Sequence, residues 1–152
     1  MQDRHKDRQV YFKEQGDTTK KYVIPYVSSM MKLDENARVL EVGCGEGGNM
    51  TPFLDLGCET VGVDISATQI EKAQEYLSSN NYSKFKVVAQ DIYDTTAADI
   101  GTFDLIFLRD VIEHIPNQEK FFEEIGKFLK PSGVIFFGFP PWRMPFGGHQ
   151  QM

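Results

Sequence analysis

Val39-Leu-Glu-Val-Gly-Cys-Gly-Glu-Gly-Gly-Asn49 decides the fold: an apolar run that passes into four glycines within six positions. Glycines here let the backbone turn left-handed and let a ligand lie against the peptide plane. The apolar residues ahead of them place the turn at the carboxyl end of a buried strand, where open α/β sheets bind nucleotide-like ligands. Asp64 closes the next apolar run, nineteen residues after Gly45. From that distance a carboxylate on the second strand takes up ribose hydroxyls. The pattern predicts an adenosine-containing cofactor.

Outward from this turn, apolar and amphipathic runs alternate, the mark of βα units and a mostly parallel sheet. Strands are expected at Ala37–Val42, Thr60–Asp64, Phe85–Gln90, Phe103–Leu108 and Val134–Phe139. Their near-continuous Val, Ile, Leu and Phe content suits strands covered on both faces. Met50, Phe53 and Leu54 predict a helix after the glycine turn, with Pro52 in its first turn and Gly57 as its stop. Ser66-Ala67-Thr68-Gln69 reads as a capping box for a helix carrying Ile70, Ala73 and Leu77, ended by residues 78–81. Asn117 caps a helix whose face is Phe121, Phe122, Ile125, Phe128 and Leu129, with Pro131 and Gly133 as its end. That phenylalanine stripe reads as core. Met1–Asp17 is charged and expected to be mobile, and Val23, Tyr26, Val27, Met30 and Met31 predict a short helix laid on the sheet. Residues 140–152 read as a loop-like tail.

Composition narrows the classes. The 152 residues, 41% of them hydrophobic, form one ordinary domain with a real core. A net charge of −6 argues against a nucleic-acid partner. No apolar run approaches the roughly 20 residues of a membrane span, and no signal-peptide pattern opens the chain. Cys44 and Cys58 lack metal-like spacing, so no metal site is expected and a reduced, cytoplasmic setting is. Cys44, inside the glycine turn, reads as a small packing residue rather than a nucleophile.

The glycine motif alone fits two patterns. Gly43, Gly45 and Gly48 satisfy the dinucleotide G-x-G-x-x-G, whereas Gly43, Gly45 and Gly47 satisfy G-x-G-x-G. Four blocks in order bear on the choice: Val39–Gly47, Val61-Gly-Val-Asp-Ile-Ser66, Val88-Ala-Gln-Asp-Ile92 and Phe103–Pro116, with Leu129-Lys-Pro-Ser-Gly-Val134 after them. Together they resemble the class I S-adenosylmethionine-dependent methyltransferases, over about residues 22–139, and look closest to the branch that methylates small molecules. The resemblance implies a Rossmann-like three-layer αβα sandwich with strand order 3-2-1-4-5. It also implies a cofactor site drawn from Glu41, Gly43, Cys44, Gly45, Gly47, Asp64, Ile65, Asp91, Ile92 and Arg109. In that site Gly43 and Gly45 approach the methionine moiety and Glu41 orders its ammonium. Asp64 accepts from the ribose hydroxyls, and Asp91 from the adenine amino group. Ile65 packs on the adenine face, Ile92 lies beside the ring, and the turn at Leu108 and Arg109 brings a backbone carbonyl to the ammonium. Independently of the resemblance, Glu41 and Glu46 favour a sulfonium and an ammonium over the phosphates of a dinucleotide. Glu46 by itself reads as a solvated charge, or one at a helix N-terminus.

Methyl transfer from a sulfonium is an in-line displacement, so the protein's chief task is to hold the nucleophile about 3–3.5 Å from the methyl carbon. A general base helps where the acceptor is a hydroxyl or a protonated amine. His114 and His149 are the candidates, each with a plain structural role as the alternative, while Asp110 and Glu113 read as capping and loop residues. The family pattern continues for two further strands that these residues do not contain, so the chain reads as a methyltransferase domain lacking its C-terminal hairpin. Val134–Phe139 would then be an exposed sheet edge, and self-association through it is expected. Trp142 and Phe146 point to a flat or apolar acceptor, or to packing on the absent hairpin. A nicotinamide-dependent oxidoreductase, or a module that holds the cofactor without turnover, are the competing functions.

Overall fold

The computed structural model describes residues 2–109, 111 and 114–138, without the side chains of residues 2–6. One sheet of five strands runs in the order β3-β2-β1-β4-β5, every neighbouring pair parallel. The strands are β1 (Arg38–Val42), β2 (Glu59–Asp64), β3 (Phe85–Ala89), β4 (Phe103–Arg109) and β5 (Leu129–Gly138). Among the described residues six α-helices connect or flank them: α1 (Gln2–Thr18), α2 (Ile24–Ser28), α3 (Thr51–Asp55), α4 (Ala67–Ser79), α5 (Ala97–Ile100) and α6 (Gln118–Gly126). The expected strand order is the observed one.

Strand periodicity sorts the core into two layers. On one face Val39, Leu105 and Phe107 pack under Val27 of α2 and Phe53 of α3. Facing the other way, Leu40, Val42, Ile106 and Leu108 pack under Ile100 of α5 and Phe121 and Ile125 of α6. Along the first face a further cluster joins Phe12 of α1, Met50 and Leu54 to Ile70, Tyr76 and Leu77 of α4. Because both faces are covered, the central strands read as unbroken apolar runs.

Local signals place most boundaries. Pro52 lies in the first turn of α3, and Gly57 (φ 88°) follows its end. Ser66 caps α4 by accepting from the Gln69 amide, and Asn117 caps α6 by accepting from Lys120. A reciprocal capping box closes elsewhere, between Thr96 and Asp99 at the start of α5. That short helix had a legible Thr-x-x-Asp signal but no apolar run to draw attention to it.

Three expectations are corrected. Met1–Asp17, read as mobile, is helical from Gln2, and α1 docks through Phe12, whose ring lies 5.3 Å from that of Tyr76. It buries so few apolar positions that no stripe shows in the sequence. Helix α6 stops at Gly126 instead of at Pro131, because the Phe103 amide donates to the Phe128 carbonyl and Leu129 already pairs with Phe103. So β5 starts five residues earlier than expected, with an irregularity before Val134 that absorbs Pro131 and Gly133. Phe139 and the tail lie outside the described residues, as do Asp110 and Glu113. No described helix is long and apolar enough to cross a membrane.

Candidate cofactor-binding site

The carboxyl ends of β1, β2 and β4 converge on the glycine turn. Gly43 (φ 76°) and Gly45 (φ 55°) take the left-handed backbone the turn requires. The Gly43 amide donates to the Val63 carbonyl at 2.8 Å, which ties the turn to β2. Asp64 clamps it further: Oδ2 accepts from the Gly45 amide at 2.9 Å and Oδ1 from the Ser66 amide at 2.9 Å. Each oxygen keeps a second lone pair for a ligand.

A cavity of about 680 Å³ opens over this turn. Gly43, Cys44, Gly45, Glu46, Asn49, Asp64, Gln69, Arg109 and Val111 line it, together with Asp7, Arg8, Tyr11 and Gln15 of α1. A smaller cleft of about 260 Å³ adjoins it, lined by Ile65, Asp91, Ile92, Ile115 and Phe121. Gly43, Asp64 and Val111 border both spaces. The two form one elongated site with a polar lobe and an apolar lobe, and Asp64 stands at the joint.

Behind the polar lobe lies a buried network. Thr19 opens a π-helical turn (Thr19–Val23) and donates from Oγ1 to Asn49 Oδ1 at 2.8 Å. Arg109 Nη1 donates to both of those oxygens, at 3.2 Å each. Asn49 Nδ2 in turn donates to Glu41 Oε2 at 3.3 Å. Burial raises the Glu41 pKa well above the ordinary 4.5, the Asn49 hydrogen bond and Arg109 oppose the rise, and Asp64 adds to it. Glu46 is only 6% exposed and its Oε1 meets Arg8 Nη1 at 2.6 Å. It is therefore no solvated charge, as the sequence had implied, but a buried wall of the polar lobe. Cys44 packs as expected, against Gly62. Burial first, then the Glu41 and Asp64 carboxylates, push its thiol up and leave it a poor nucleophile.

Of the residues singled out from sequence, Gly43, Cys44, Gly45, Asp64 and Arg109 meet in the polar lobe. Asp64, Ile65, Asp91 and Ile92 meet in the apolar one. Ile65 is 75% exposed there, an unusual apolar surface that a flat ring would cover. Asp91 uses Oδ1 to cap the following turn at the Tyr93 amide, 3.0 Å away. Glu41 does not reach the cavity wall; Asn49 stands between. Gly47 faces away, with Leu77 and Ala73 of α4 where its side chain would be. The Arg109 guanidinium serves the network behind the lobe through Thr19 and Asn49, a contribution the sequence reading did not assign. His114 is exposed and lines neither lobe, although its neighbour Ile115 does. His149 lies outside the described residues.

Sequence reasoning missed Tyr11, Gln15, Asn49 and Gln69. Gln69 was noticed only as a capping residue, yet its Oε1 lies near the open side of Gly45. Asn49 is a polar residue between Gly48 and Met50 in a buried turn, and its partner Glu41 is eight positions away.

A lobe that bears charges of both signs takes an amino-acid-like head, a carboxylate at the joint takes a diol, and an apolar cleft takes a ring. Fold and site together define a Rossmann-like domain that binds a nucleoside-bearing ligand at the carboxyl edge of its sheet. A methyltransferase-domain family model matches residues 40–137. A ubiquinone biosynthesis O-methyltransferase of Mesorhizobium japonicum is 36% identical over 106 residues, which are 67% of this chain and 40% of that protein. A sterol 24-C-methyltransferase of Schizosaccharomyces pombe is 32% identical over 120 residues, 78% of this chain and 31% of the relative. Among solved structures, PKMT2 from Rickettsia typhi in complex with AdoHcy superposes with a TM-score of 0.63 at 33% identity, over 68% of this chain and 20% of that one. The chain belongs to the class I S-adenosylmethionine-dependent methyltransferase family. The family match also decides between the two glycine patterns, in favour of G-x-G-x-G over the dinucleotide one. The chain spans well under two thirds of the length of these two curated relatives, 40% and 31%.

Proposed function

We propose that this domain binds S-adenosylmethionine and directs its methyl group to a small organic acceptor. The observation that carries this is the two-lobed site with Asp64 at its joint. When bound, the cofactor supplies an electrophilic methyl on a sulfonium, with a neutral thioether as leaving group.

The residues present suit it. Glu46 Oε2, in the wall of the polar lobe, is a buried acceptor without a hydrogen-bond partner among the described residues, and a cation bearing N–H groups answers it. Arg109, in the same lobe, carries the charge opposite to the cofactor's carboxylate. Asp64 accepts from ribose hydroxyls with the lone pairs that the Gly45 and Ser66 amides leave over. Ile65 and Ile92 sandwich the base, and Asp91 accepts from its amino group. What the chain contributes to the reaction is orientation and exclusion of water. An acceptor enters beside Tyr11 and Val111 at the mouth of the polar lobe.

The decisive experiment is calorimetric titration with S-adenosylhomocysteine, with NAD as control and Asp64→Ala alongside. Saturable binding of the first ligand only, weakened in the variant, is expected; binding of NAD instead overturns the reading. Two finer readings accompany it. The outer edge of β5, with Phe137 43% exposed, pairs with a second copy of the chain, and a monomer by light scattering at high concentration overturns this. The protein works in the cytoplasm, a reading that two free, buried cysteines support.

A further inference from the structure

Glu46 and Glu41 are both buried beside the glycine turn, and their surroundings treat them oppositely. Glu46 meets Arg8 Nη1 at 2.6 Å and has Lys72 Nζ at 4.0 Å, so cations answer its charge. Glu41, on β1, is 2% exposed. Among the described residues no lysine or arginine forms an ion pair with it. Its Oε2 accepts from Asn49 Nδ2 at a long 3.3 Å, and its Oε1 has no partner among the described residues.

One neutral donor does not offset the water a carboxylate loses on burial, so a group placed like this keeps its proton instead of its charge. The charged and titratable groups that face it are Arg109 from β4, Asp64 from β2 and Cys44 from the glycine turn. Arg109 and the Asn49 bond favour the anion, Asp64 opposes it, and burial outweighs them. Asn49 is held in place, since its Oδ1 takes Thr19 Oγ1 at 2.8 Å and Arg109 Nη1 at 3.2 Å. Asn49 also lines the polar lobe. The Glu41 carboxyl is therefore a neutral, ionisable group one side chain behind a site for a charged ligand.

Resting on the cofactor assignment above, we propose that Glu41 makes the site distinguish S-adenosylmethionine from its spent product by charge. The two ligands differ by one methyl group, which makes the first a sulfonium cation and leaves the second a neutral thioether. A fixed positive charge in a low-dielectric lobe favours a nearby anion. Glu41 accordingly releases its proton to solvent in the sulfonium complex and keeps it in the thioether complex. Each affinity is linked to pH by the protons its complex holds. The product complex holds more, so preference for the cofactor rises with pH. After methyl transfer the positive charge has left the lobe, and Glu41 takes a proton back from solvent.

The test is calorimetric titration with S-adenosylmethionine and with S-adenosylhomocysteine, in buffers of different ionisation enthalpy, repeated upward from the ordinary carboxylate range. In the parent the ratio of the two affinities climbs with pH by about tenfold, the change one proton accounts for over a single pH unit. The ligands' own amino groups titrate alike against parent and variant. The excess of the parent over Glu41→Gln, which can still accept from Asn49, therefore reads the buried carboxyl: the variant loses both the extra proton release and the climb. Infrared difference spectra of the parent supply a readout that needs no variant, since the band of a protonated buried carboxyl is bleached by the first ligand and kept with the second. A band kept with both ligands, or a climb that survives in Glu41→Gln, overturns the proposal and leaves the cofactor assignment standing. So does a variant that weakens both ligands by one factor at every pH while the parent ratio stays flat, the mark of a purely structural Glu41. A parent chain that binds neither ligand overturns the cofactor assignment and the proposal with it.

Discussion

At the scale of single residues, Asp64 and Glu41 show how two carboxylates near one ligand divide their tasks. Asp64 shapes the glycine turn and faces the joint of the site. Asp64→Ala is expected to cost about 1–3 kcal/mol of stability, since two backbone amides lose their acceptor, and to lower S-adenosylhomocysteine affinity at least tenfold. Thermal melts and calorimetry read the two effects separately. Glu41 is different, because burial holds its pKa well above the ordinary 4.5 in the folded state. Above that pH the unfolded chain has released the proton while the folded chain retains it. Folded protein then binds more protons than unfolded, so stability falls as pH rises toward the raised value. Glu41→Gln, which can still accept from Asn49, removes that loss. Its melting temperature relative to the parent should climb as pH rises above the ordinary carboxylate range; a constant difference across that rise would contradict the assignment. Asp64 was legible in the sequence because its spacing from Gly45 is local to one βα unit. The Thr19–Asn49–Glu41–Arg109 network was not, since its members lie up to 90 positions apart.

Elements follow their local chemistry where that chemistry is self-contained. Ser66 and Asn117 each hold one orphan amide at a helix start. Ser66→Ala and Asn117→Ala should each destabilise the fold by about 1 kcal/mol, as lost caps do, measurable by urea denaturation without change in m-value. A loss under a few tenths would mean that water replaces the cap. These starts were readable because a cap and its amide are three residues apart. Helix α1 was not readable: among its described residues only Phe12 and Gly16 are buried, and its stability comes from a seat made by Gly48 and Tyr76. The early start of β5 was equally hidden, since Leu129 belongs to a helical stripe in the sequence and to a strand only once Phe103 is beside it.

For the molecule as a whole, the sheet's middle carries the stability. Phe107 is fully buried between Phe53, 5.5 Å away, and Phe136, stacked at 5.7 Å. Those three rings join β4, β5 and α3 in one contact. Phe107→Ala should cost about 3–5 kcal/mol, a large share of a domain's net stability, seen as a lower urea midpoint; a cost under 1 kcal/mol would place the core elsewhere. By itself the sequence determined the parallel α/β layout, the strand order once the four blocks were recognised, and the glycine turn with Asp64 beyond it. Each of those rests on periodicity or short spacing, which a linear chain displays. Only the tertiary structure decided that Glu46 is a buried wall, that the Arg109 guanidinium joins Thr19 and Asn49, that Gly47 serves packing against α4, and that α1 lines the cavity. Those depend on which surfaces meet after folding, and burial of a charge or the approach of two backbones leaves no periodic trace in the chain.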